Sequence, residues 1–384
     1  MFRNNLRLPL KLIALGISSS LMMNASYAEI IFNAKVMGPV TNIYSMKESG
    51  ELKALTQNKY WRDVQQDVSQ TGQVIFVSNR QDELKPDIHR TSESLHLYLR
   101  QSATGHVEQI TDGSFNSVEP LFSPNGQYVV YKRVAKGKPN ELVVKSLSPV
   151  NSSQVLLLAS QVTGFSWSPS GDSIAVTYVE SGISKLSLLG LTNQQETNLL
   201  RVQWSSKELE STSNKMDDVF SGQYVSPSFS PDGQYIAFIR HPNQQSSFRQ
   251  LSVIHLETEK VVNMALPKAQ VQAPIQWNDA SDQLLYSALV NYRFRYDESK
   301  MDRVYEGAME VFESNLKGQT KQLTNSGAMH FRPVYSPDER QIAYLFSDRL
   351  GDNRQFALRV MTLADAHEKE LFNKVSVQST LIWR

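Results

Sequence analysis

The chain has 384 residues, no cysteine and a formal charge of +1, from 39 Lys and Arg against 38 Asp and Glu. That near-balance excludes a nucleic-acid footprint, which needs a basic excess gathered on one face. The absence of cysteine excludes a disulfide scaffold and a lipid anchor built on a cysteine thiol.

Residues 1–28 read as a secretory signal peptide. Arg3, Arg7 and Lys11 make a basic start, Leu12 to Met23 is a short apolar run, and Ser26-Tyr27-Ala28 places small residues where a signal peptidase cuts. Removing this segment takes away three positive charges and leaves acidic residues slightly in excess. No later segment is apolar enough to cross a membrane as a helix. The expectation is an exported, periplasmic chain with residues 29–384 as one domain.

Glu29 to Thr56 supplies three short strands, Ile30–Ala34, Asn42–Met46 and Glu51–Thr56, with no strand ahead of them. Beyond it one motif recurs every 45 to 62 residues: an aromatic or apolar residue, then a polar turn. The clear copies are Phe122-Ser-Pro-Asn-Gly126, Trp167-Ser-Pro-Ser-Gly171 and Phe229-Ser-Pro-Asp-Gly233. Tyr335-Ser-Pro-Asp-Glu339 and Trp277-Asn-Asp-Ala-Ser281 are decayed copies, and Val68-Ser-Gln-Thr-Gly72 is weaker. In such a turn proline presets φ, aspartate or asparagine suits the next position, and glycine accepts the left-handed conformation. The turn joins two antiparallel strands.

The region from Val225 to Leu266 shows the whole unit. A strand ending at Phe229 is followed by Tyr235–Ile239, Leu251–Leu256 and Val261–Leu266. Equivalent third strands are expected at Leu142–Leu147, Lys185–Leu189, Glu310–Leu316 and Phe356–Leu363, and fourth strands close with Leu55-Thr56, Ile110-Thr111 and Leu323-Thr324. The β-branched and aromatic content favours strand over helix. At the far end, Ser379-Thr-Leu-Ile-Trp383 is a lone first strand. It complements the incomplete unit at Glu29, and joining the two removes an open sheet edge. The fold class is therefore all-β: a seven-bladed β-propeller of four-stranded antiparallel blades, closed by the C-terminal strand on the N-terminal blade, with six or eight blades as alternatives.

These residues resemble the TolB-type propeller repeat, a relative of the WD repeat. Ser336-Pro-Asp338, Ile342-Ala-Tyr344, Ser347-Asp-Arg349, Gly351 and Leu358-Arg-Val-Met361 follow the family pattern in order. The resemblance covers nearly all of residues 29–384 and speaks to fold more than to function. It implies a periplasmic location and binding of envelope proteins. This chain, however, leaves no room for the α/β domain that precedes the propeller in TolB.

Long insertions are expected at Ser78–Ser94, Arg201–Gln223 and Asn291–Gly307, all on the face that carries second-to-third strand loops and blade crossings. Insertions on one face of a repeat fold often mark the binding face. The third holds Tyr292, Arg293, Phe294, Arg295, Tyr296, Arg303 and Tyr305, and the second holds Trp204. Tyrosine, tryptophan and arginine offer apolar area with a polar handle, the mix favoured at binding hot spots. Asp82, Glu83, Asp87, His89, Glu93 and His96 follow no recognised ligand spacing, so they read as a charged solvated loop. No cofactor or metal is expected, and no catalytic motif is found. The functional expectation is a monomeric, non-catalytic module that binds a protein partner in the cell envelope. Alternatives are a polysaccharide lyase or hydrolase with a metal in the central channel, to which His330 is a candidate ligand, and a small-ligand sensor.

Overall fold

The structure is a computed structural model that describes residues 28–80, 94–147, 152–192, 195–203, 222–241, 248–264, 266, 269–299, 301–350 and 355–384. The signal-peptide reading of residues 1–28 falls almost wholly outside these. Regular structure among the described residues is entirely β. Strands β1 (Glu29–Met37), β2 (Val40–Lys47) and β3 (Leu52–Ala54) come first. Then follow β4–β7 (Asp63–Val68, Val74–Ser78, His96–Arg100, Val107–Gln109) and β8–β11 (Asn116–Phe122, Tyr128–Val134, Asn140–Ser146, Ser153–Ala159). Next are β12–β15 (Gln161–Trp167, Ser173–Glu180, Ile183–Gly190, Glu196–Gln203) and β16–β19 (Gln223–Phe229, Tyr235–His241, Gln250–His255, Val261–Asn263). The last are β20–β23 (Gln270–Trp277, Gln283–Asp297, Asp302–Asn315, Thr320–Gln322), β24–β27 (Met329–Tyr335, Gln341–Ser347, Phe356–Thr362, Glu368–Val375) and β28 (Ile382–Trp383).

The groups β4–β7, β8–β11, β12–β15 and β16–β19 are separate four-stranded antiparallel sheets. The other twelve strands form one continuous sheet, in which β22 meets β24 at Met309 and Met329, and β27 meets β1 at Val375 and Ala34. β28 pairs antiparallel with β1, placing Trp383 opposite Ile30 and Ile382 opposite Ile31. Around that pair the Glu29 amide donates to the Arg384 carbonyl at 2.9 Å, and the Asn33 amide donates to the Ser379 hydroxyl at 2.8 Å.

Two repeated hydroxyl contacts explain the sequence motif. In each Ser-Pro turn the serine Oγ accepts the amide N–H that opens the return strand: Tyr128 to Ser123 at 3.0 Å, Ser173 to Ser168 at 3.1 Å, Tyr235 to Ser230 at 3.0 Å and Gln341 to Ser336 at 3.0 Å. At the Leu-Thr closures the threonine Oγ1 accepts an amide from the third strand: Ile43 to Thr56, Leu97 to Thr111 and Val311 to Thr324, all at 2.9–3.0 Å. Each contact gives a backbone N–H an acceptor that it would otherwise lack.

Successive sheets pack face to face. One cluster joins Val130 and Leu142 to Trp167, Ile174 and Val176 of the next sheet, and another joins Ile239 and Leu251 to Trp277 and Tyr286. Fully burying a large apolar side chain stabilises by ~1.5–3 kcal/mol, so these clusters hold the array together. Polar clasps fix its spacing near the axis. Phe122 N donates to Asp67 Oδ2 at 2.7 Å, and Tyr335 N donates to Gln276 Oε1 at 2.7 Å. The motif tryptophans reach back, Trp167 Nε1 to the Leu121 carbonyl at 3.2 Å and Trp277 Nε1 to the Ser228 carbonyl at 3.1 Å.

Candidate functional site

The third insertion is a β-ribbon. β21 and β22 run on past the body of their sheet, and the pairs Arg293–Glu306, Phe294–Tyr305, Arg295–Val304 and Tyr296–Arg303 stay in antiparallel register. The alternation Tyr-Arg-Phe-Arg-Tyr from 292 to 296 is itself a period-two strand signal. Directly opposed residues share a face. One face therefore carries Tyr292, Phe294, Tyr296, Arg303 and Tyr305, and the other carries Arg293, Arg295, Val304 and Glu306. Phe294 and Tyr305 pack with ring centroids 5.5 Å apart. On the polar face Arg295 lies 3.7 Å from Glu306, an exposed pair worth little to stability.

The aromatic face is open. Tyr292, Phe294 and Tyr296 are 40%, 53% and 51% exposed, and Met301 at the tip is 76% exposed. The ribbon is aimed by a kink at its root, where the register shifts between Val290 and Arg293. Asn291 there has φ of 55° and Gly307 opposite has φ of 111°. A Cβ at Gly307 would lie 2.7 Å from the Val290 carbonyl oxygen, so no other residue fits. A groove of about 510 Å³ opens at this root, between Leu266 and Gly307, with Glu310 and Phe312 among its lining residues.

Of the sequence-selected residues, the ribbon brings together Tyr292, Arg293, Phe294, Arg295, Tyr296, Arg303 and Tyr305, on two opposite faces. Trp204 lies outside the described residues, as do most of the first and second insertions. His96 is described and only 2% exposed. His330, the candidate channel ligand, is fully buried between β22 and β24. Its Nδ1 lies 3.0 Å from Glu310 Oε2, and Tyr344 and Phe346 cover its ring. The Glu310 carboxylate also accepts from Thr324 Oγ1 at 2.5 Å and from the Gly327 amide at 2.9 Å. Burial works to raise the Glu310 pKa, but the bonds from His330, Thr324 and Gly327 outweigh it and hold the carboxyl below its ordinary range. This pair ties down the 324–330 connection, and with its Nε2 turned to Ser326 Oγ at 3.4 Å and its side chain fully buried, His330 has no ring nitrogen open to a ligand. Among the described residues no three His, Asp or Glu side chains gather as a metal set.

Missed from the sequence was a set of residues on four of the first strands, three positions ahead of the motif residues Val68, Phe122, Phe229 and Tyr335. Gln65, Glu119, Ser226 and Arg332 have φ of 51°, 56°, 53° and 55°, each at a register shift in its strand. In three of the four a proline follows, at Pro120, Pro227 and Pro333. That recurring X-Pro step was the available signal.

No family model matches the chain, and no curated protein matches it. Solved structures do. A puromycin-hydrolysing peptidase from Mycobacterium tuberculosis aligns with a TM-score of 0.59 at 8% identity, over 92% of this chain and 53% of that one. An oligogalacturonate lyase in complex with manganese aligns with a TM-score of 0.56 at 13% identity, over 91% and 87%. TolB from Acinetobacter baumannii aligns with a TM-score of 0.48 at 10% identity, over 93% and 82%. What this chain shares with the peptidase and the lyase is the β-propeller fold. At these identities the likeness extends no further, since one fold hosts enzymes and binding modules alike. The chain also spans only about half of the peptidase's length. Among the described residues no helix is long and apolar enough to cross a membrane.

Proposed function

We propose that this protein is an exported, periplasmic, TolB-like propeller of seven blades, non-catalytic and monomeric, that holds a protein partner of the cell envelope on the aromatic face of the 291–307 ribbon. The observation that carries the reading is the row Tyr292, Phe294 and Tyr296, exposed together on a paired and therefore stiff ribbon. Aromatic area left bare on a rigid element costs solubility, and an interface uses it at small entropic cost. The aromatic face ends in Arg303, and the groove at the ribbon root could receive one side chain of the partner. Export is supported by the basic, apolar and small-residue pattern of residues 1–28. The count of seven blades is supported by taking β28 with β1–β3 as one four-stranded unit beside β4–β7 and the five later groups of four.

The test is a capture assay from envelope extract with three baits: the mature protein, Tyr292→Ala/Phe294→Ala/Tyr296→Ala, and Arg293→Ala/Arg295→Ala on the opposite face. The reading expects a partner retained by the first and third baits and lost from the second. Equal capture by all three would move the site elsewhere. The channel-lyase alternative is the weaker one, because the His330 ring is fully buried with its Nε2 turned to Ser326.

A further inference from the structure

A second site lies at the axis, away from the ribbon. The first strands of the successive sheets, with the 378–380 segment, enclose a cavity of about 800 Å³. Its walls are partly apolar, with Val64, Leu121, Phe165 and Ile275, and partly polar. Two of its polar side chains have unmet bonding capacity.

The first is Arg332. Its Nη1 donates to the Ser379 carbonyl at 2.7 Å, and its Nε is buried without a partner. Among the described residues no carboxylate lies within ion-pair distance of it. The acid on this wall, Glu119, does not serve, since it is bound by Lys132 at 2.7 Å. An uncompensated, largely buried cation is costly, and an anion beside it removes that cost. Burial lowers the Arg332 pKa, which fits a charge lacking its partner. The residue also holds a left-handed backbone, with φ of 55°.

The second is Gln66, which is 2% exposed. Its Nε2 donates to the Thr380 carbonyl at 2.6 Å, while its Oε1 is buried with no donor. Gln66 and Arg332 thus grip consecutive carbonyls, Thr380 and Ser379, from strands on either side of that segment. One offers a spare acceptor and the other a spare charged donor.

We propose that the axial cavity binds a small organic carboxylate. Its carboxylate lies along the Nε–Nη2 edge of Arg332, and an adjacent hydroxyl or amide N–H donates to Gln66 Oε1. With Nη1 engaged, that edge still presents two parallel N–H groups, the geometry a carboxylate takes side-on. A single uncompensated charge suits a monoanion better than a dianionic phosphate. The apolar wall accommodates a short hydrocarbon body. Two sources share this chemistry, the free carboxyl end of a peptide and a soluble hydroxy acid.

Calorimetric titration of the mature protein separates them. The probes are N-acetylalanine, lactate, acetate and the neutral N-acetylalaninamide. Binding of N-acetylalanine or lactate with no binding of the amide is the expected result. Preference for N-acetylalanine points to a peptide end, and preference for lactate to a hydroxy acid. Arg332→Gln should weaken the bound carboxylate by about tenfold or more, the scale of a charged hydrogen bond. Arg332→Lys, which keeps the charge but not the side-on edge, should lie between. Gln66→Leu should weaken N-acetylalanine and lactate towards the level of acetate, which carries no second donor. The ribbon triple-alanine variant should bind as the parent does, which keeps this test separate from that of the partner surface. If Arg332→Gln melts early through loss of the Ser379 contact, Arg332→Lys and the carboxylate-against-amide comparison on the parent protein still decide. No heat with either N-acetylalanine or lactate, equal binding of the neutral amide, or unchanged binding by a folded Arg332→Gln would overturn the proposal.

Discussion

The hydroxyl of Ser230 accepts the Tyr235 amide and lies 2.5 Å from Asp232 Oδ1, so one small side chain organises the whole Ser-Pro-Asp-Gly turn. Ser230→Ala leaves the Tyr235 amide without that acceptor, and the loss should be about 1 kcal/mol, the usual net value of one hydrogen bond. Urea unfolding measures it, and a variant as stable as the parent would show that the turn stands on proline and glycine alone. Asp67 makes a different prediction. Burial pushes its carboxyl up to about 6, against the hydrogen bonds from the Phe122 and Val68 amides, from an ordinary value of 3.8. A raised folded-state pKa means the folded protein holds that proton more tightly than the unfolded chain. This contribution to stability is therefore complete on the acid side of about pH 4 and declines as pH rises to about 6. Asp67→Asn keeps an acceptor for Phe122 and removes the titration. Its stability relative to the parent should rise across that window and level off above it. A constant offset from pH 4 to pH 7 would contradict the account.

At the scale of elements, the ribbon separates what the sequence discloses from what it hides. The insertion at Asn291–Gly307 is plain from the spacing of the motifs, and its aromatic and arginine content marked it as a binding candidate. Its strand character was also present in the strict alternation from Tyr292 to Tyr296. Which residues share a face depends on the register shift between Val290 and Arg293, a tertiary detail that spacing does not reveal. Arg332 and Gln66 were invisible for a related reason. Charge compensation is a property of neighbours in space, and the carbonyls they grip lie 47 and 314 residues away along the chain. The X-Pro step that kinks the strand at Arg332 could have been noticed, though not the missing counter-ion. For the ribbon itself, Gly307→Ala should disturb the root kink through the Val290 and Asn291 carbonyls. The expected outcome is a loss of partner capture with only a small fall in melting temperature, because the ribbon lies beyond the packed body of its sheet. A Gly307→Ala protein that captured its partner normally would show that the ribbon's aim is unimportant.

For the whole molecule, recurrence carried the argument furthest. The Ser-Pro-X-Gly copies and the Leu-Thr closures are local devices, legible because each is set by turn chemistry and one hydroxyl. How the ends meet is a long-range matter, inferred from two incomplete units, Glu29–Thr56 and Ser379–Trp383, that complement each other. In the structure residues 376–384 touch much that matters. They pair with β1, bind Asn33 through Ser379, and supply the carbonyls held by Arg332 and Gln66. A ring depends on every interface, so opening one should loosen the others. The most direct measurement is thermal unfolding of the mature protein with residues 379–384 deleted. The account predicts a broadened transition and a melting temperature lowered by well over ~5 °C, together with loss of carboxylate binding at the axis. A deletion protein that melts as sharply and at the same temperature as the parent would contradict the closed ring.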